Sequence, residues 1–359
     1  MRLLPSSVRL AEQCAWKEFF IFQSKTIRPQ NIVDDGYLLP ARDILIPSTH
    51  GVYYSNTLQL VHSALFRMEI WWQTKVKWNS DGLDKEEITS ELFKPASCYL
   101  SVVLPAYNEE KRLAACLKQT MEYLKERQDL EGAAFTYEII VVDDGSVDKT
   151  LNVVEQFQLK AGVNELRVIK LSSNKGKGFA VKMGMHCSRG KFLLMADSDG
   201  ATRFSDIARL EKCMIDSKKD SKEQPACIIF GSRKNIQEEG INTRRVPLRK
   251  VMMFFFRLFL YVVIGTTIQD TQCGFKLFDR NSARWIFTSL HLSRWAFDTE
   301  IVYIANMLGM RIIELAVDWT EIPGSKVNLL TAPFQMARDI LLTRALYCSF
   351  FWQPKDRSI

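Results

Sequence analysis

Two aspartates in Asp197-Ser198-Asp199-Gly200 directly follow the apolar run at 191–196. Carboxylates one residue apart at a strand end can share a divalent cation, and Mg2+ or Mn2+ suits such oxygen ligands and bridges readily to a diphosphate. An exposed acidic turn is the alternative. A second cluster, Asp143-Asp144-Gly145-Ser146, closes the apolar run at 137–142. There a carboxylate either accepts hydrogen bonds from a ribose or base, or caps the next helix. The loop NKGKG at 174–178 has glycines that let backbone approach a ligand, and it opens a helix whose N-terminus favours anions. Its spacing is neither a P-loop nor a dinucleotide fingerprint, and an ordinary loop has the same composition. Arg233 follows the apolar run at 226–230. It suits a bidentate grip on phosphate, or equally a surface ion pair. Asp298 and Glu300 stand at the start of a helix predicted over 299–308, where acids serve the helix dipole or flank a reacting group.

The elements that must position these residues are legible from apolar periodicity. Strands are predicted at 99–104 (stopped by Pro105), 137–142, 166–171 and 191–196, with helices at 109–127, 149–160 and 178–188. This alternation predicts an α/β fold, a mostly parallel central sheet with helices on both faces. Ligands bind beyond the carboxyl ends of such strands. Tyr107-Asn108-Glu109, Asp143-Asp144 and Asp197-Ser198-Asp199 therefore converge on one rim.

The chain has 359 residues, of which 47% are hydrophobic, enough for a substantial core. Its net charge of +7 suits an anionic partner. The basic residues are scattered and the aromatics lie in apolar runs, so no nucleic-acid partner is expected. Eight cysteines include no Cys-x-x-Cys pair, which argues against zinc or a redox motif. Residues 1–98 form an N-terminal extension of undefined role, with an amphipathic helix predicted at 58–72 and no secretory signal. No run of about 18 uncharged apolar residues predicts a spanning helix. Residues 251–264 are apolar except Arg257, and Arg244, Arg245, Arg249 and Lys250 precede them. That pattern fits a helix lying in a membrane interface, with a core helix as the alternative. Residues 334–352 form a second candidate.

The motifs SVVLPAYNEE at 101–110, VVDDGS at 141–146, NKGKG at 174–178, MADSDGA at 195–201 and DTQCGFK at 270–276, with RWAFD at 294–298 and WTEIPGSK at 319–326, resemble family 2 glycosyltransferases with the glycosyltransferase-A fold. The resemblance covers about residues 99–350. It implies inverting transfer of glucose from UDP-glucose to dolichyl phosphate at the cytoplasmic face of the endoplasmic reticulum membrane, supplying N-glycan precursor assembly. GDP-mannose is the competing donor, and a non-catalytic nucleotide-sugar scaffold the competing class. The resemblance divides the chain into a nucleotide-sugar core at 99–245 and an acceptor and membrane-interface region at 246–359, with C-terminal amphipathic helices. It implies nucleoside contacts at Pro105, Tyr107, Glu109, Val142 and Asp144, with Lys177 also binding the donor. It also implies that Asp197, Ser198 and Asp199 form the diphosphate and metal loop, with Mg2+ or Mn2+ on Asp197 and Asp199, and that Arg233 and Lys326 close on the donor and acceptor phosphates. Arg249 and Lys276 are then expected to hold the acceptor phosphate, and Asp298 to orient sugar or acceptor. Related mannosyl enzymes carry a glutamine after the metal motif where this chain has Ala201, so water is expected to complete the ion's shell.

Overall fold

A computed structural model describes residues 90–162, 164–219, 226–233, 246–324 and 332–354. The predicted 58–72 helix, Arg244, Arg245 and Lys326 lie outside the described residues, as do the side chains of Arg249 and Lys250. In chain order the elements are β1 (Cys98–Ala106), α1 (Leu113–Glu131), β2 (Tyr137–Asp143), α2 (Thr150–Ala161), β3 (Leu166–Lys170), α3 (Lys177–His186), β4 (Gly190–Ala196) and α4 (Ile207–Lys219). Then come β5 (Cys227–Ser232), α5 (Val246–Ile264), β6 (Phe275–Asp279), α6 (Arg280–Ser289), α7 (Phe297–Met307), β7 (Arg311–Ala316) and α8 (Ala332–Cys348).

The strands form one seven-stranded sheet ordered β3-β2-β1-β4-β6-β5-β7. β6 alone among them runs antiparallel to its neighbours β4 and β5. Neighbouring residues on each strand point to opposite faces, so the inner strands are apolar on both. Leu100, Val102, Leu104, Ile139, Val141 and Leu194 pack under α1, α2 and α4. Val103, Ile140, Val142, Leu193 and Met195 pack under α3 and α5–α8. The expected helices on both faces are therefore present.

Of the predicted strand boundaries, the carboxyl end of β1 departs furthest from its prediction. Pro105 does not stop β1, which continues to Ala106 and pairs Pro105 with Val142 of β2. The β1–β4 ladder has already ended at Val103. A proline past the last pair on that side removes no ladder hydrogen bond, and its carbonyl accepts from Ser198 Oγ at 2.8 Å.

Among the described residues no helix is long and apolar enough to cross a membrane. α5 buries Leu260 and Ile264 but exposes Phe255, Leu258, Tyr261 and Val262. α8 packs beside it and exposes Phe334 and Leu341. The seven described cysteines are all free thiols.

Candidate active site

Asp197 follows β4 and hydrogen-bonds back across the sheet, its N–H donating to the Gly274 carbonyl at 2.9 Å. Because β6 is antiparallel, its amino end meets the carboxyl end of β4, with Ala196 opposite Phe275. This register brings 270–274 beside the aspartate loop. A Cβ on Gly274 would overlap the Asp197 carboxylate, so glycine is required there for Asp197 to keep its place. Ser198 is buried and ties the loop to β1 through Pro105. Gly200, at φ +74°, turns the chain, and Asp199 Oδ1 accepts from the Ala201 N–H at 3.0 Å.

Acids and bases on this rim pair closely. Arg112 grips Glu109 with two bonds of 2.6 and 2.7 Å. Arg233 grips Asp270 with two of 2.7 Å, and Trp319 stacks over the guanidinium at 5.5 Å. Lys276 Nζ meets Asp298 Oδ1 at 2.5 Å, and Lys177 Nζ meets Asp197 Oδ1 at 2.5 Å. Asp199 differs, because its nearest base, Arg112, stands 3.8 Å away and is already bonded to Glu109. Burial first, and then the charge of Asp197, hold the Asp199 carboxyl above its ordinary pKa. Asp197 and Asp199 thus leave one carboxylate poorly compensated, with oxygen donors only. This is the donor chemistry and charge that fit Mg2+ or Mn2+. Among the described residues no group of three His, Cys, Asp or Glu side chains could complete a protein cage. A cation here takes its remaining ligands from water or substrate.

The nucleoside side departs from the sequence reading in several places. Asp144 does not present its carboxylate outward. It is 3% exposed, and its two oxygens accept from the Lys175 and Gly176 N–H groups at 2.7 and 2.8 Å. It clamps the 174–178 loop, and burial raises its pKa in spite of those bonds. The glycines of that loop allow close packing on the loop before α7. A Cβ at Gly176 would lie 2.5 Å from the Ser293 carbonyl, and one at Gly178 would lie 2.7 Å from that of Leu292. Val142 is fully buried in the core, and Pro105 is buried too, so neither side chain lines the rim. Tyr107 is half-buried there, and Glu109 is 7% exposed with its N–H on Thr150 Oγ1 at 2.7 Å.

Lys276 is also corrected. It is fully buried between the Cys273 carbonyl and Asp298, so it does not face an acceptor. Asp298, expected beside the reacting sugar, is 2% exposed, and burial pushes its carboxyl up against the opposing pull of Lys276. Arg233 uses one edge of its fork on Asp270. Burial would lower its pKa, but those bonds more than offset the loss and keep it charged.

Sequence reasoning missed Arg112, and it placed Asn108 in a rim cluster and Asp270 and Gly274 in a motif without assigning them roles. Asn108 adopts φ 53°, and its Oδ1 accepts from the Val147 N–H at 2.9 Å, stitching the β1 loop to the β2 loop. The signal for Gly274 was a lone glycine between Cys273 and Phe275. Arg112 gave none, since its pairing with Glu109 needs the local turn. A cavity of about 560 Å³ between α1 and α4 contains none of these rim residues.

The family described as Glycosyl transferase family 2 matches residues 101–287. A dolichyl-phosphate beta-glucosyltransferase of Homo sapiens is 43% identical over 290 residues, which cover 81% of this chain and 87% of that protein. One of Dictyostelium discoideum is 44% identical over 260 residues, covering 72% and 77%. Among solved structures, glucosyl-3-phosphoglycerate synthase of Mycobacterium tuberculosis is 17% identical with a TM-score of 0.46, covering 76% of this chain and 87% of that one.

Proposed function

Since the chain belongs to glycosyl transferase family 2, among the dolichyl-phosphate β-glucosyltransferases, we propose that it transfers glucose from UDP-glucose to dolichyl phosphate with inversion at a glycosyltransferase-A type site. The observation that carries the reading is the Asp197–Asp199 pair at the carboxyl end of β4, with one carboxylate poorly compensated. In this reading an oxygen of dolichyl phosphate attacks the anomeric carbon, the bond from that carbon to the diphosphate breaks, and UDP departs. The nucleophile is already ionised near neutral pH, so no strong general base is needed. A Mg2+ or Mn2+ ion held by Asp197 and Asp199 would neutralise charge growing on the leaving diphosphate. Arg233, aimed by Asp270 and Trp319, adds fixed positive charge beside it. Lys276 and Asp298 act from beneath, as a buried pair that stiffens this end of the sheet. Tyr107 and the loop clamped by Asp144 form the nucleoside side, and the resemblance implies a phosphate-binding role for Lys326.

The exposed apolar faces of α5 and α8 rest in the membrane interface, which holds the long lipid while its phosphate enters the rim. That fits an enzyme at the endoplasmic reticulum membrane with its site toward the cytoplasm, supplying glucose to N-glycan precursor assembly. Membranes containing the protein, given labelled UDP-glucose and dolichyl phosphate, should form labelled lipid that disappears with a chelator. Excess UDP should compete more strongly than excess GDP. Stronger competition by GDP would instead assign a GDP-mannose donor.

A further inference from the structure

Lys177 is the first residue of α3, and three contacts fix where its ammonium sits. Asp144 holds the preceding loop through Lys175 and Gly176, and Gly176 packs on the Ser293 carbonyl at a φ of +104° that suits glycine. The stem of Lys177 then carries Nζ to 2.5 Å from Asp197 Oδ1, with the Trp295 ring 5.9 Å away. The other side of the Asp197 carboxylate faces Gly274. Asp298, the next acid in reach, is already bonded to the buried Lys276. Asp197 is therefore the carboxylate that Lys177 neutralises. The same oxygen pair is the one offered to a divalent cation.

We propose that Lys177 and the divalent cation compete for Asp197, and that the nucleotide's diphosphate relieves the competition by drawing the lysine away. This rests on the reading of Asp197 and Asp199 as cation ligands. A lysine ammonium is a compact point charge on a flexible four-carbon stem, so it can leave one anion for another without backbone change. At 16% side-chain exposure it stays near solvent at the rim. When the donor's diphosphate arrives, it offers Lys177 a second anion and the cation further oxygen ligands. Cation and nucleotide binding are then positively coupled, and by linkage each strengthens the other by the same factor. The device keeps the cation weakly held until the nucleotide is present.

The test is Mn2+ binding to purified protein, followed by electron paramagnetic resonance of free Mn2+, without acceptor and with or without UDP. Lys177→Met should bind Mn2+ alone about tenfold more tightly than the parent, within the usual range of coupling between sites. The increase that UDP gives to Mn2+ affinity should shrink in the same variant. Lys177→Arg keeps the charge and should behave like the parent on both counts. Equal or weaker Mn2+ affinity in Lys177→Met, with undiminished UDP coupling, overturns the proposal, provided thermal melting shows the variant folded. If Lys177→Met does not fold, Lys177→Gln carries the same expectation. Asp197→Asn separates the two readings. Unchanged Mn2+ binding in that variant would remove the cation site itself, whatever Lys177 does.

Discussion

At the scale of residues, the site sets stability against function. The folded-state pKa of Asp199 is raised by burial and by Asp197. A raised carboxyl favours the protonated folded form, so its ionisation costs stability above the folded pKa, and that cost is absent below the ordinary value of 3.8. Asp199→Asn should therefore melt higher than the parent at pH 7, and the gain should shrink as pH falls toward 3.8. Mn2+ should raise the melting temperature of the parent and leave Asp199→Asn nearly unmoved. A lower melting temperature for Asp199→Asn at pH 7 would show that the carboxylate is compensated after all. In turnover, Asp199→Ala should lose about a hundredfold or more while keeping its far-ultraviolet circular dichroism, as expected when a main source of leaving-group stabilisation is removed. Gly274→Ala tests the cradle. Its Cβ cannot coexist with the Asp197 carboxylate as placed, and displacement of about an ångström costs about a hundredfold in rate. Near-parental turnover in Gly274→Ala would mean that Asp197 need not sit there. The acidic pairs were legible because strand-end aspartates stand out against apolar runs. Gly274 and Arg112 were not, because their roles depend on contacts with Asp197 and Glu109.

At the scale of elements, the loop from 290 to 297 supports the glycine-rich loop, and Glu300 supports both. Glu300 is 1% exposed and accepts from the His291 and Leu292 N–H groups and from the Tyr347 hydroxyl. Glu300→Ala removes a shared acceptor from these N–H groups and this hydroxyl and should cost about 3 kcal/mol in urea unfolding, given roughly 1–3 kcal/mol for each unsatisfied group. A loss below about 1 kcal/mol would mean that water or a neighbour takes the carboxylate's place. The sequence placed this acid only at a helix start, because its partners lie on α8 and in the preceding loop. Strand and helix alternation was readable, since β1, β2 and β4 lie between two cores and are therefore apolar at nearly every position. β6 and β7 were not read as strands. β6 is five residues long, all buried, and includes Lys276, whose charge hides it from an apolar count. The sequence left the role of the glycines of 174–178 open, because approach to a ligand and approach to a neighbouring loop demand the same residue.

At the scale of the whole molecule, the sheet carries the rim while α5 and α8 present apolar side chains beside each other. Replacing Phe255, Leu258 and Val262 with aspartate should abolish flotation with vesicles and leave UDP affinity unchanged. Retained flotation would mean that attachment lies elsewhere in the chain. The sequence showed the apolar character of 251–264, but the split between a core-facing and an outward-facing side of α5 appears only in its burial, with Leu260 and Ile264 inside and Phe255, Leu258 and Val262 exposed. The central claim is a glucose delivered with inversion from UDP-glucose to a lipid phosphate. It is tested most directly by incubating purified protein with UDP-glucose, Mn2+ and vesicles containing dolichyl phosphate, then determining the product's mass and anomeric configuration by mass spectrometry and proton NMR. A β-linked dolichyl glucosyl phosphate, absent when Asp199→Ala replaces the parent, is the predicted result. An α-linked product, or UDP release without any lipid-linked glucose, would contradict it.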